Sequence, residues 1–77
     1  ISLFETVLVS ANDSLVEMFL KKQITYLEIY KILNIITSRK EFIKLKLIKP
    51  SSLGQISKLS KYVAFKTKSL SVLSRPQ

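Results

Sequence analysis

Residues 10–29 read SANDSLVEMFLKKQITYLEI, and this stretch holds the end of one predicted helix, a turn and the start of the next. Ahead of the turn, apolar residues recur three to four positions apart, which is the spacing of one helical face. After the turn, Thr25 and Glu28 form a capping box: the Thr hydroxyl accepts from a backbone N–H near the helix start, and the Glu carboxylate reaches back to the cap residue. The stretch therefore predicts two consecutive helices joined by a short connection.

The same reading applied to the whole sequence predicts an all-α, three-helix domain that covers residues 1–77. The three helices are expected at about residues 3–21, 26–38 and 53–70. A second capping box, Ser52 with Gln55, opens the third helix at Leu53.

The core of this domain is predicted from the apolar faces of the three helices. Its expected members are Leu8, Leu15, Phe19, Ile29, Ile32, Leu33, Ile36, Ile56, Leu59 and Val63. On the first helix Val7, Val9, Val16 and Leu20 widen the apolar stripe. We therefore expect this helix to be covered on more than one side.

Two segments do not fit the helical pattern. Residues 42–49, FIKLKLIK, alternate apolar and basic side chains, and this predicts an extended connection that ends at Pro50. Whether the connection is an edge strand or coil stays open. Residues 71–77 are predicted to be a frayed tail, because serines and Pro76 continue a helix poorly.

Charge is distributed unevenly along the chain. The net charge is +8, and all five acidic residues lie in the first 41 positions, where basic residues balance them. The second half carries no carboxylate, so it is expected to bind an anionic partner: the acidic face of a larger protein assembly, or alternatively nucleic acid or a membrane surface. The candidate binding residues are Lys44, Lys46, Lys49, Lys58, Lys61, Lys66 and Lys68. The alternative is that these lysines are solvated on a helical face and bind no specific partner.

The residue types exclude several chemistries. The sequence has no His, no Cys and one Gly, so it lacks the usual zinc ligands, a His general base and a Gly-rich phosphate loop. Asp13 and Glu17 are four positions apart, but Glu17 is better explained as a surface partner of Lys21. We therefore predict that this chain alone is not an enzyme and that it binds no cofactor, metal or small-molecule substrate.

The ends and hydropathy of the chain add two expectations. The longest stretch without a charged residue, residues 50–57, is much shorter than the roughly 20 residues that span a bilayer, so no transmembrane segment is expected. The sequence begins with Ile1 rather than Met, which suggests a processed protein or a piece of a longer one.

The runs SANDSLVEMFL at residues 10–20 and QITYLEI at residues 23–29 resemble a known family. They are similar to the C-terminal helical domain of 1-deoxy-D-xylulose 5-phosphate reductoisomerase, most nearly the plant plastid enzyme. PSSLGQI at residues 50–56 and YVA at residues 62–64 look like the Pro-Ser-Leu cap and final helix of that family. The resemblance runs from about Val7 to Thr67 and is weaker after Arg39.

This resemblance implies an NADPH-dependent enzyme of isoprenoid synthesis that uses a divalent metal. The family's dinucleotide-binding and catalytic domains precede this helical domain and have no counterpart here, so no catalytic residue is carried over. The sequence also departs from the family, because Asp13 stands where Glu is usual and the final helix has lysines in place of carboxylates.

Three functional hypotheses follow. The first is a non-catalytic interaction module, a reductoisomerase-like helical domain that acts as a small basic subunit of a larger assembly. The alternative is the C-terminal portion of a reductoisomerase whose catalytic domains lie outside this chain. The third is a basic nucleic-acid-binding domain. The family resemblance further predicts a plastid location.

Overall fold

Four α-helices and one 3₁₀ turn form the structure, a computed structural model that describes residues 2–74. The elements, in chain order, are α1 (Leu3–Leu20), α2 (Tyr26–Ser38), the short α3 (Lys40–Ile43), the 3₁₀ turn (Lys44–Leu47) and α4 (Leu53–Ser74). Residues 2–74 contain no β-strand. The predicted all-α class is confirmed, and the three predicted helices correspond to α1, α2 and α4.

The connection between α1 and α2 is a left-handed helix stop followed by a capping box. Lys22 has a positive φ of 61°, its N–H donates to the Phe19 carbonyl at 2.9 Å, and the Gln23 N–H donates to the Met18 carbonyl at 2.8 Å. These two bonds define a Schellman motif, which satisfies the last carbonyls of α1. The Thr25 hydroxyl then accepts from the Glu28 N–H, and the Glu28 carboxylate accepts from the Thr25 N–H, which confirms the predicted capping box.

Helices α1 and α4 pack side by side and run in the same direction. The Ser10 hydroxyl donates to the Ser60 carbonyl at 2.7 Å, and further along both helices the Ser71 hydroxyl oxygen lies 3.3 Å from the Met18 sulfur. The side chains between the helices are small, since Ser10, Ala11 and Ser14 of α1 are all buried. Small residues let two helix backbones approach closely, because the side-chain ridges of one helix can then fit into the grooves of the other.

The core differs from the predicted one on α1. Leu15, Ile29, Ile32, Ile36 and Val63 are buried as expected, and Leu33, Ile56 and Leu59 are half-buried. Leu8 and Phe19, however, are 37% and 38% exposed, and the buried positions are instead Leu3, Val7, Ala11, Leu15 and Met18. The prediction for Leu8 and Phe19 was wrong because the small serines, and not only the largest apolar side chains, face α4.

The predicted extended connection at residues 42–49 is also wrong. Its first residues end α3, the next four form the 3₁₀ turn, and only from Ile48 is the backbone extended. With about three residues per turn, Phe42 and Leu45 point to the same side: Phe42 is buried and Leu45 packs on the core. Leu47 is 95% exposed, so the alternation of apolar residues does not mark two faces of a strand.

Helix α4 continues past its predicted end. The tail was expected from residue 71, but the helix reaches Ser74, and residues 75–77 lie outside the described part of the chain. The hydroxyls of Thr67, Ser69 and Ser71 donate to carbonyls three or four residues earlier, so they bond within the helix instead of ending it. Ser71 is also buried against α1, and this contact favours the helical conformation.

The start of α4 follows the second predicted cap with one change. The Ser52 hydroxyl accepts from the Gln55 N–H at 3.1 Å, as a capping residue does. The Gln55 side-chain oxygen accepts from the Ser51 N–H at 2.7 Å, one residue before the position that a standard capping box uses.

Candidate functional site

The seven lysines of the predicted anion-binding surface lie in three places. Lys58, Lys61 and Lys68 lie on the exposed side of α4, spaced so that they share one helical face. Lys44 and Lys46 belong to the 3₁₀ turn, and Lys49 follows it. Lys66 is half-buried on the flank of α4. The surface predicted from sequence is therefore divided among separate elements.

Several of these lysines already have neighbours within the chain. The Lys46 ammonium lies 4.9 Å from the centre of the Phe4 ring, and the Lys66 ammonium lies 6.0 Å from that of Tyr62. Lys68 is close enough to Glu17 for its charge to help lower the pKa of that carboxyl. The other four lysines form no hydrogen bond or ion pair with another described residue; they are Lys44, Lys49, Lys58 and Lys61. The availability of these four for an anionic partner stays a prediction.

Glu41 forms a polar cluster that fastens α3 to α4. One carboxylate oxygen accepts from the Arg39 Nε at 2.6 Å and the other accepts from the Tyr62 hydroxyl at 2.9 Å. The hydrogen bond from Arg39, helped by the one from Tyr62, holds the pKa of Glu41 below its usual value. The hydrogen bond from the Tyr62 hydroxyl to the charged Glu41 carboxylate raises the pKa of Tyr62. Since the Phe42 and Tyr62 rings are 5.9 Å apart, this cluster combines ring packing with charge-assisted bonds.

The paired carboxylates of α1 do not form a metal site in the described structure. Glu17 accepts from the Lys21 ammonium at 2.9 Å, and that hydrogen bond is the main cause of its lowered pKa. Within residues 2–74, no three His, Cys, Asp or Glu side chains come together in a way that could hold a metal ion. The arrangement is that of a surface ion pair at helical spacing, which contributes little to stability.

An exposed aromatic group lies where α1 meets α2. The Phe19 and Tyr26 rings are 6.0 Å apart and the Tyr26 and Tyr30 rings 5.4 Å apart, each pair in an edge-on geometry. The two Tyr hydroxyls are hydrogen-bonded to each other at 2.9 Å, and this bond raises the pKa of Tyr30. These interactions are those of amphipathic packing at a helix edge.

Val9, Val16 and Leu20 form an exposed apolar patch on the outer face of α1, with the exposed Asp13 among them. These residues lie opposite the buried side of the helix, and Leu20 is 72% exposed. Their apolar character was visible in the sequence as a stripe too wide for one contact, which predicted that α1 is covered on more than one side. Helix α1 packs against both α2 and α4, as that prediction expected, but within residues 2–74 the side with Val9, Val16 and Leu20 stays exposed.

Membrane insertion finds no support in the described helices. Within residues 2–74, none combines the length and the apolar character that crossing a bilayer requires.

Together these features define a small all-α unit built from amphipathic helices, with an exposed apolar patch on α1 and lysines divided among several elements of the second half. Comparison with known proteins relates this unit to part of an enzyme. The chain is 45% identical over 71 residues to the 1-deoxy-D-xylulose 5-phosphate reductoisomerase of Pelagibacter ubique (strain HTCC1062). The match covers 92% of this chain but only 18% of that relative, so the chain spans less than a fifth of the protein it matches.

The other two comparisons gave no relationship. No protein-family model matches the chain, and no solved structure matches it significantly.

The match corrects three predictions made from the sequence. The prediction that the chain is not an enzyme was wrong, because the relative is an enzyme of which the chain matches a small part. The plastid location was wrong as well, because the relative is bacterial and bacteria have no plastids. For the same reason, the reductoisomerase relationship is supported but the plant plastid type is not. The match favours the hypothesis of an enzyme portion over that of a small independent subunit.

Proposed function

We propose that this chain is the C-terminal helical portion of a 1-deoxy-D-xylulose 5-phosphate reductoisomerase. The observation that carries the proposal is the 45% identity over 71 residues, which extends across nearly all of the chain. The continuous helical architecture supports it, because a match of that length includes α1, α2 and most of α4 together. The placement at the C-terminal end rests on the family resemblance of residues 10–29 and 50–56.

In this proposal the bond-making groups belong to the remainder of the polypeptide. This chain has one glycine, at position 54, and it stands in the first turn of α4, where it does not form a Gly-rich phosphate loop. The sequence has no His, and within residues 2–74 no cluster of carboxylates is present that could hold a metal ion. The residues present therefore do not fit the NADPH and divalent-metal sites that the family resemblance implies, and no catalytic step is assigned to them.

The role that remains for the helical portion is structural support of the catalytic part. The Schellman motif and the Thr25–Glu28 capping box fix the turn between α1 and α2, and the Glu41 cluster fixes α3 against α4. Residues remote from the chemistry can change turnover strongly when they displace a catalytic group by about 1 Å. The helical portion would act in this way, by fixing the position of the part on which it packs.

A hybrid enzyme tests the proposal. In it, the matched part of this chain replaces the corresponding 71 residues of the Pelagibacter enzyme, and substrate-dependent NADPH oxidation is measured beside the parent enzyme. A matched deletion that lacks the 71 residues serves as the control. We expect the hybrid to turn over 1-deoxy-D-xylulose 5-phosphate with kcat/KM within about tenfold of the parent, a loss of about 1.4 kcal/mol or less, and the deletion to be inactive. A soluble, helical hybrid without turnover would count against the proposal.

A further inference from the structure

The outer face of α4 carries an exposed aromatic ring among lysines. Phe65 is 67% exposed and lies on the side of the helix opposite the fully buried Val63. Lys61 precedes Phe65 by one turn, Lys68 follows it by one turn, and Lys58 lies one turn before Lys61. Lys58, Lys61, Phe65 and Lys68 are all exposed, and together they form the basic face of α4.

The charge of this basic face is not neutralised by the described part of the chain. Lys58 and Lys61 form no hydrogen bond or ion pair with another residue among 2–74, and α4 itself contains no Asp or Glu. Glu17 of α1 is close enough to influence Lys68, but its carboxylate already accepts from Lys21 at 2.9 Å. The basic face therefore keeps a net positive charge that attracts an anion.

Tyr62 supplies a second ring at the border of the basic face. Its side chain is 41% exposed, its hydroxyl donates to the Glu41 carboxylate at 2.9 Å, and its ring centre lies 5.9 Å from that of Phe42. Because these contacts already hold the ring, Tyr62 loses little conformational freedom when a ligand contacts it. The Glu41 carboxylate is itself paired with Arg39 at 2.6 Å, so this border adds no uncompensated negative charge.

The chemistry of the basic face favours nucleic acid among the anionic partners. Lysine is depleted from the centres of protein–protein interfaces, because burying its ammonium is costly. A helix that binds a membrane surface inserts an apolar face, but the apolar face of α4 is turned to the core, where Val63 is fully buried. Exposed rings beside lysines instead suit a single strand, since bases stack on the rings and ammonium groups contact the phosphates.

We propose that the basic face of α4 binds single-stranded nucleic acid, with Phe65 stacking on a base and the three lysines contacting phosphates. Lys58 and Lys68 lie ten positions apart, which is about 15 Å along the helix, so the lysines can follow a strand. Lysine acts as a point charge without the bidentate geometry of arginine, so we expect binding that does not depend on base sequence. The proposal concerns α4 alone and does not rest on the proposed enzyme function.

Fluorescence anisotropy with a labelled oligothymidylate of about 12 nucleotides tests the proposal on the full-length polypeptide that carries this sequence. One variant combines Lys58→Gln, Lys61→Gln and Lys68→Gln. Because three phosphate contacts are removed, the slope of log affinity against log salt concentration should become less negative by about 2. Phe65→Ala should weaken binding about fivefold or more without changing that slope, because it removes stacking but no charge.

Two controls match these variants. Lys44→Gln, Lys46→Gln and Lys49→Gln together remove the same charge from the 3₁₀ turn and the segment after it, and should weaken binding by less than about threefold, since salt screens distant charges. Leu27→Ala on α2 removes a side chain that is 73% exposed and should leave binding unchanged. All the substituted side chains are exposed, so circular dichroism should show an unchanged fold.

Equal losses of affinity in the two triple variants would overturn the proposal, because binding would then respond only to net charge. An unmodified polypeptide that does not bind the oligonucleotide at low salt would also overturn it. Binding to vesicles of equimolar phosphatidylcholine and phosphatidylglycerol, but not to the oligonucleotide, would assign the basic face to a membrane surface instead. Unchanged affinity in Phe65→Ala would contradict the stacking on which the choice of a single strand depends.

Discussion

Lys22 occupies a backbone conformation that usually belongs to glycine. Its φ of 61° lies in the left-handed region, where a Cβ atom costs roughly 1 kcal/mol. The conformation persists because it places the Lys22 and Gln23 N–H groups on the last carbonyls of α1. The sequence gives no sign of this, since the helix stop is formed by a lysine where Gly or Asn is expected.

Replacing Lys22 with Gly should therefore stabilise the chain. We expect the free energy of unfolding to rise by about 0.5–1 kcal/mol, because the relief of left-handed strain exceeds the added flexibility of the unfolded chain. Chemical denaturation monitored by circular dichroism measures the change. Lys21→Gly is the matched control: Lys21 has a φ of −86°, so glycine there should destabilise. Equal effects of the two substitutions would show that strain at Lys22 is negligible.

Glu41 makes the stability of the chain depend on pH on the acid side. Because its folded-state pKa is lowered, the carboxylate contributes stability above the unfolded-state pKa of about 4.3 and loses it as the pH falls through the folded-state pKa. Glu41→Gln should remove part of this dependence, so the variant should lose less stability than the original chain between about pH 5 and pH 3.

Melting temperatures measured across that pH range check the Glu41 prediction. Asp13→Asn is the control, since the exposed Asp13 carboxylate forms no hydrogen bond or ion pair with any described residue. The expected result is a flatter acid-side profile for Glu41→Gln than for Asp13→Asn. Parallel profiles for the two variants would mean that the bonds from Arg39 and Tyr62 do not hold the carboxylate in its charged form.

At the scale of elements, the contact between α1 and α4 depends on small side chains. Ser10 is buried and its hydroxyl bonds to the Ser60 carbonyl across the contact. Ser10→Leu should lower the free energy of unfolding by about 1–3 kcal/mol, because the larger side chain forces the two helices apart. Val9→Leu on the exposed face is the control and should change it by less than about 0.5 kcal/mol. If both variants unfold at the same denaturant concentration, the close approach of the helices is wrong.

The helices were predictable from sequence where one pattern dominates. The Thr25 and Glu28 pair marked the start of α2 correctly, because both halves of a capping box lie close together in the sequence. Which side of α1 is buried was not predictable, because it depends on which distant helix packs against Ser10 and Ser14. Hydrophobicity ranks serine as a surface residue, whereas a close helix contact selects it for its size.

The prediction of an extended connection at residues 42–49 failed for a related reason. Its alternating letters resemble a strand, but the burial of Phe42 beside Tyr62 is a tertiary contact that favours a turn with three-residue spacing. Anion binding by the candidate lysines stays a prediction, and their distribution over separate elements became visible only in the fold. The apolar patch at Val9, Val16 and Leu20 was visible in the sequence as an excess of apolar positions.

At the scale of the whole molecule, the chain has two unlike surfaces. Val9, Val16 and Leu20 form an exposed apolar patch on α1, while the candidate lysines of the second half lie on the 3₁₀ turn, the segment after it and α4. Contiguous exposed apolar patches often mark interaction sites, whereas single exposed apolar residues are normal on a protein surface. This arrangement fits the proposal that the chain is one piece of a larger polypeptide.

The most direct measurement of this account is made on the full-length polypeptide in which this sequence occurs, purified from its native source. The rate of NADPH oxidation with 1-deoxy-D-xylulose 5-phosphate is measured, and the mass of the intact polypeptide is determined in parallel. We predict a polypeptide several times longer than 77 residues, with substrate-dependent turnover that is lost when residues 3–74 are deleted. A native protein no larger than this chain, or a full-length polypeptide that binds NADPH without converting the substrate, would contradict the account.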